Sequence, residues 1–154
     1  MIYFKKDPAI RPITVPELYD ALLTVWEAAV RDSHDFLSEA DIRFFKTLIP
    51  DALPHLEVFG FFETGAHPDR LRGFAAIEDN RLEMLFVHPA AKGQGVGSRL
   101  MDFAIHDRNI RFVDVNEQNT QALQFYLHRG FQIIGRDAAD AFGKPFPILH
   151  LTLP

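Results

Sequence analysis

Residues 87–101 read VHPAAKGQGVGSRLM, and this stretch decides the fold. An apolar run ends at Val87, a short turn passes through His88 and Pro89, and glycines at 93, 95 and 97 lead straight into an amphipathic helical pattern. Glycine has no Cβ, so the chain can adopt unusual φ values there and bring its N–H groups close to an anion. The free N–H groups and the positive dipole end of the following helix add to that attraction. The combination has the geometry of a phosphate cradle. Glycines alone would equally make a tight turn, so the flanking segments carry the argument.

Working outward, Asp79-Asn80 supplies a two-residue hairpin turn between β-rich runs at Leu71–Glu78 and Arg81–Val87, and a further run spans Leu56–Glu63. Toward the N-terminus, Thr14-Val15-Pro16-Glu17 reads as a capping box, with Leu18, Leu22, Val25 and Ala29 at helical spacing. A first helix is predicted from Val15 to Arg31. Ser38-Glu39-Ala40-Asp41 opens a second, with Phe44, Phe45 and Leu48 as its inward face and Pro50 as its stop. Beyond the loop come a helix, a strand, a helix and two strands around a turn at Gly143. The order predicts an α/β (α+β) domain, a mixed and mostly antiparallel sheet with helices on its faces.

At 154 residues the chain is expected to form one domain spanning 1–154, large enough to bury about 70% of its unfolded surface. No apolar run reaches the roughly 18 residues of a membrane span, and Met1-Ile2-Tyr3-Phe4-Lys5-Lys6 lacks the apolar core of a signal peptide. A cytoplasmic protein with no membrane partner is expected. The absence of cysteine excludes disulfides, thiolate nucleophiles and an acetyl-cysteine intermediate. A net charge of −5 without a Lys/Arg cluster argues against nucleic acid. The seven histidines include no i, i+4 pair on one helix of the kind zinc favours, so no metal is expected.

Residues 113–131 read VDVNEQNTQALQFYLHRGF: an alternating strand ends at an Asn pair, a helix starts, Tyr126 lies two turns into it and Gly-Phe closes it. Taken with the loop, this resembles the GCN5-related N-acetyltransferase (GNAT) superfamily, whose pyrophosphate loop follows Gln/Arg-x-x-Gly-x-Gly/Ala. Residues 92–97 match at both glycine positions, and Lys92 replaces the first residue, keeping the charge but losing the planar fork of Arg. Ser33–Ser38, Asn116–Phe131 and Gly143–His150 are similar to a YjaB-type bacterial subgroup, so the resemblance covers most of the chain beyond Ala9.

The resemblance implies a twisted sheet splayed between its fourth and fifth strands, with acetyl-CoA lying across the splay. Its pantetheine arm would pair with the backbone of Leu85, Phe86 and Val87 like an added strand. Its pyrophosphate would rest on the N–H groups of Gly93, Gln94, Gly95, Val96 and Gly97, helped by the Ser98 hydroxyl and the Lys92 charge. Asn116 and Asn119 have amides suited to cofactor or acceptor, although Asn119 also fits a helix N-cap. The family places a Tyr at the position of Tyr126, where it protonates the departing thiolate; a core aromatic beside Phe125 is the plainer reading. For the base, Glu83 on the strand leading to the cofactor and His34 between the first two helices both qualify, with a solvated strand carboxylate and a surface or capping His as the plainer readings.

His150 could face the same cavity, and Phe36, Phe44 and Phe146 could line it. The acceptor is expected to be a primary amine of a small molecule or peptide; Asp32, Asp35, Glu39 and Asp41 mildly favour a cationic one, and a solvated helix start explains them equally well. The chain is also compatible with a homodimer. Two other readings of the loop stand beside the enzyme: a non-catalytic acyl-CoA-binding module, and a dinucleotide-binding fold, since Gly93-x-Gly95-x-x-Ser98 nearly satisfies that fingerprint. Against the latter, five residues separate Val87 from Gly93, and the preceding strand leaves an antiparallel meander rather than opening a βαβ unit.

Overall fold

A computed structural model describes residues 6–154; the first five, where the absence of an apolar leader was read, lie outside the described residues. Seven strands form one sheet in the order β1-β2-β3-β4-β5-β7-β6. They are β1 (Ile10–Pro12), β2 (Glu57–Phe62), β3 (Leu71–Glu78), β4 (Arg81–Val87), β5 (Phe112–Asn116), β6 (Gln132–Asp137) and β7 (Ile148–Thr152). The helices are α1 (Tyr19–Ser33), α2 (Glu39–Ala52), α3 (Val96–Asp107) and α4 (Thr120–His128).

Alternation along β3 builds both halves of the core. Ala75 and Ile77 face the cluster formed with Leu100, Met101 and Ala104 of α3, while Phe74 and Ala76 face Leu22, Val25, Trp26 and Val30 of α1. Because each face must cover a buried apolar surface, helices lie on both sides of the sheet, as the run of elements predicts. Each large apolar side chain so enclosed is worth about 1.5–3 kcal/mol. Asp79 at φ +52 makes the tight turn from β3 to β4, within reach of Asp because its short side chain tolerates the left-handed region.

Three expectations are corrected. The first helix does not start on a Thr14 capping box: Pro16–Leu18 form a 3-10 turn, no side chain caps it, and α1 runs from Tyr19 to Ser33. The second helix continues through Pro50 to Ala52, since proline near the last turn forfeits a single N–H bond and the Leu53 N–H still reaches the Ile49 carbonyl. Its buried face is Ile42 and Ile49, whereas Phe44 is exposed and Leu48 lines a cavity described below. The Ser38–Asp41 capping box is present in both directions. Strand β1, three residues long and ending in proline, was too short to show any alternation.

The sheet opens at one place. Strands β4 and β5 run parallel and pair only at Arg81 with Phe112 and Leu82 with Val113. Immediately beyond, Ala76 pairs with Met84 and Ile77 with Leu82, which leaves Glu83 as the extra residue of a β-bulge. A bulge bends its strand and ends regular pairing. From Glu83 to Val87 the β5-facing edge of β4 therefore has no strand partner.

Candidate active site

Three recesses converge on this splay. The first is a groove of 390 Å³ running from the glycine loop along the free edge of β4, bounded by Leu85, Phe86, Val87, Lys92, Gly93, Gly95–Ser98, Asn119 and Tyr126. Pro89–Ala91 form a 3-10 turn, and Gly93 (φ +78) and Gly95 (φ +79) then take left-handed conformations that other residues resist. None of the hydrogen bonds among the described residues takes up the N–H groups of Gly93, Gly95, Val96, Gly97 or Ser98; the first helical bond runs from the Arg99 N–H to the Gly95 carbonyl. A Cβ built at Gly93 or Gly95 would meet no protein atom within 4 Å. The glycines thus leave open space over a ring of unused donors at a helix N-terminus, which fits a pyrophosphate. The unpaired β4 edge fits an extended, amide-bearing arm.

Not every loop residue contributes as expected. The Gln94 N–H donates to the Ala91 carbonyl at 3.3 Å, its side chain turns back to the Ala90 carbonyl at 3.4 Å, and the residue does not line the groove. Lys92 does line it, but its ammonium is held by Asp32 at 3.2 Å, tying the loop to the end of α1. Val96 is buried as well as lining the groove.

The second recess, 100 Å³, is the splay itself, and Tyr126 lines both it and the groove. Its ring packs against Phe125 and Phe131, so one residue both belongs to the core and lines the recesses. No described residue hydrogen-bonds its hydroxyl, and burial pushes the phenol well above its ordinary pKa. The group therefore keeps its proton at neutral pH, as a general acid must.

The third recess, 600 Å³, lies between α1, α2 and the 138–147 loop, and it has an apolar end and an acidic end. Trp26, Phe45, Phe86, Phe142 and Phe146 line the apolar part, while Glu83, Asp114, Asp137 and Asp140 carry the charge. Of the three Phe residues singled out from sequence, Phe146 lines the cavity; Phe36 and Phe44 stand behind it, 5.7 Å from Phe146 and 5.4 Å from Phe142 between ring centroids. Asn116, expected to serve cofactor or acceptor, lines this cavity and the splay and not the groove; its Oδ1 accepts the Gln118 N–H.

The acidic residues read from sequence are corrected too. Asp32 pairs with Lys92, Glu39 with Arg31 and Asp41 with Lys144, so three of the four are already neutralised. The cavity's charge comes from the strands instead. Arg81 and His150 compensate Asp114, and His150 also reaches Asp137. Glu83, by contrast, has no ion pair or hydrogen bond among the described residues. Partial burial pushes its carboxyl above the ordinary value, with Arg81 opposing and Glu78 and Asp114 reinforcing the shift. The bulge accounts for its aim: an extra residue turns the side chain into the opening.

His34 borders all three recesses. The Ser33 hydroxyl donates to the Ala29 carbonyl at 2.8 Å, so at 2.7 Å it accepts from His34 Nδ1. That leaves His34 Nε2 as an acceptor, 3.5 Å from the Asn119 amide, while Asn119 Oδ1 caps α4 by accepting the Ala122 N–H. Asn119 is thus both the N-cap and a wall of the groove. Burial depresses the His34 pKa, and Asp35 only partly offsets this. A neutral imidazole of fixed tautomer follows.

A donor groove with free backbone N–H groups, opening through a strand splay onto an acidic, aromatic cavity, defines a transferase of acyl groups from a pyrophosphate-bearing carrier. The sequence model of the acetyltransferase (GNAT) domain matches residues 54–143, and the chain belongs to that family. It is 35% identical over 135 residues to the peptidyl-lysine N-acetyltransferase YjaB of Salmonella typhimurium, covering 88% of this chain and 91% of that protein. It is 33% identical to the Escherichia coli YjaB, over 86% and 88% of the two chains. The solution structure of apo YjaB from E. coli superposes with a TM-score of 0.83 at 32% identity, covering 93% of this chain and 95% of that one. The protein is an acetyl-CoA-dependent N-acetyltransferase. Among the described residues no cluster of His, Asp and Glu could hold a metal ion, and no helix is long and apolar enough to cross a membrane.

Proposed function

We propose that the acceptor is the side-chain amine of a lysine in a peptide, with Glu83 as general base and Tyr126 as general acid. Acetyl-CoA supplies an activated acetyl group and a sulfur leaving group. The observation that carries the reading is the third recess: aromatic and aliphatic walls that end at an unpaired carboxylate beside the splay. A lysine ammonium is attracted by that carboxylate and by the faces of Trp26 and the Phe residues. Glu83 then takes a proton from the ammonium, directly or through water, so that the nitrogen lone pair is free to form the new C–N bond. As the C–S bond breaks, Tyr126 delivers its proton to the sulfur, and the second proton lost by the acylated nitrogen restores the phenol, so that the net products are the amide, CoA thiol and one proton held by Glu83 for release to solvent. His34 lends no proton; its two ring nitrogens are engaged, and it holds the mouths of the recesses in register through Ser33 and Asn119. The names of the YjaB relatives point to the same acceptor class. The test is thiol release from acetyl-CoA with a panel of lysine peptides, the same peptides blocked at the lysine nitrogen, and free polyamines. Release that requires the unblocked lysine supports the reading; release with polyamines alone sinks it.

A further inference from the structure

Strands β5, β7 and β6 carry a charge cluster across their cavity face that the catalytic roles above do not use. His150 and Asp114 are direct cross-strand partners on β7 and β5, and His150 Nδ1 lies 2.7 Å from Asp114 Oδ1. Its other nitrogen, Nε2, lies 2.8 Å from Asp137 Oδ2 on β6. The residue opposite His150 on β6 is Gly135, where a Cβ would come within 3.4 Å of the imidazole Cδ2. A bulge at Ile134 sets this register, so the ring can lie across β6 and reach Asp137. An imidazole with a carboxylate at each nitrogen needs a proton on both, because a neutral ring would leave one nitrogen lone pair facing an oxygen lone pair.

We propose that His150, held as an imidazolium between Asp114 and Asp137, is a positioning residue for Glu83: it cancels the carboxylates of the neighbouring strands so that Glu83 is the one base offered to the acceptor's proton. This rests on the acceptor reading above. The groups that face Glu83 and His150 can be counted by element. From β3 comes the field of Glu78, from β4 Glu83 itself and Arg81, from β5 Asp114, from β6 Asp137, from the 138–147 loop Asp140, and from the end of α1 the neutral His34. Asp140 is occupied by the N–H groups of Phe142 and Lys144, and the cavity residues of α2 are apolar. With His150 charged, Arg81 and His150 balance Asp114 and Asp137, Asp140 is held by backbone N–H groups, and Glu83 is the carboxylate lining the cavity that has neither an ion pair nor a hydrogen bond among the described residues. Without that charge the cavity gains one negative unit. The ammonium then binds more tightly but gives up its proton less readily, and Glu83 itself becomes harder to ionise. The shift of the imidazole pKa above its ordinary value, led by the Asp114 bond and then the Asp137 bond, agrees with this geometry.

The experiment pairs kinetics with direct titration. In His150→Gln the KM for a lysine peptide is expected to fall several-fold, while kcat at neutral pH falls by a similar factor. The acidic limb of the pH–rate profile moves up by about one unit, since a tenfold change in ionisation corresponds to one pK unit. His150→Arg, which retains the charge, should restore both. A residue that only clips the strands together would lower kcat and stability without moving KM downward or shifting the limb. Independently of turnover, the NMR titration of the His150 ring should have its midpoint above about 6.5 in the wild type and lower in Asp137→Asn. If wild-type protein acetylates no lysine peptide, the acceptor reading fails, and the ring titration still decides the charge state. If it acetylates them and His150→Gln keeps the wild-type KM and profile, or if the ring titrates as an ordinary histidine unaffected by Asp137→Asn, the inference is overturned.

Discussion

The groove proposed for the donor and the cavity proposed for the acceptor are built from different materials. Around the groove, the contacts offered are the backbone N–H groups of Gly93 and of Gly95–Ser98, together with the bare edge of β4. Around the acceptor cavity they are side chains from α1, α2, four strands and a loop. A backbone site tolerates changes of side chain and fails when a residue cannot adopt the required φ. A side-chain site has the opposite sensitivities. The two halves should therefore break in different ways.

The largest effect is expected from Gly95→Val. At φ +79 a β-branched residue is strained, and its side chain would fill the open space over the donors. Wild-type protein at about 100 times the dissociation constant of acetyl-CoA should gain ~2.7 kcal/mol of stability, and the variant none. Thermal denaturation with and without ligand measures this, and an undiminished shift in the variant would remove the loop from the binding site. Stabilisation by NADH rather than acetyl-CoA would favour a dinucleotide site.

Next in size is Tyr126→Phe, expected to cost at least about tenfold in turnover, the lower end of general-acid effects, with acetyl-CoA affinity nearly unchanged. The ring contacts with Phe125 and Phe131 survive the change. Full turnover in this variant would reduce Tyr126 to a packing residue and revive the non-catalytic acyl-CoA module.

Glu83→Gln and His34→Gln sharpen the acceptor side. As the proposed base, Glu83 would have to be ionised to act, so wild-type turnover should rise with pH through its raised pKa, and Glu83→Gln should lose both that limb and most of the rate. His34→Gln should chiefly raise the acceptor KM. It should also alter acid stability. The folded-state pKa of His34 is depressed by burial, so its contribution is present above the unfolded value of about 6.5 and is lost as pH falls through the folded value. Urea titrations across that window should show a shallower acid decline in the variant. Equal losses of turnover from the two substitutions would contradict the division of roles.

The smallest effect belongs to Gly97→Ala. A Cβ there would sit 3.6 Å from Val87 Cγ2 and 4.0 Å from Phe125 Cζ, ordinary contacts, and no positive φ is involved. Affinity for acetyl-CoA should stay within a few-fold, and helix propensity should add about 0.5–1 kcal/mol to stability. A loss as large as that of Gly95→Val would mean that shape, not backbone conformation, governs the loop.

The same division explains what could be read in the sequence. The loop, the Asp79-Asn80 turn and the Ser38–Asp41 cap are local, and each is legible because its chemistry lies within a few consecutive residues. The acceptor side is not local. Whether Asp32 or Asp41 offers a free charge depends on Lys92 and Lys144, which lie 60 and 103 residues away in the chain. The prominence of Glu83 depends on a register shift against β3, and the pairing of His150 on the alignment of three strands. Asn116 could be placed near the splay from sequence, but the side to which its amide turns could not.

The contact of His34 with all three recesses bears on the order of events in time. Two ligands that share one wall, in a chain without a cysteine to store an acyl group, must be present together for transfer to occur. Initial rates measured against both substrates should give intersecting, not parallel, double-reciprocal lines. A single compound that joins a lysine side chain to the CoA sulfur should hold both halves at once, and gain from the tether an affinity neither fragment has alone.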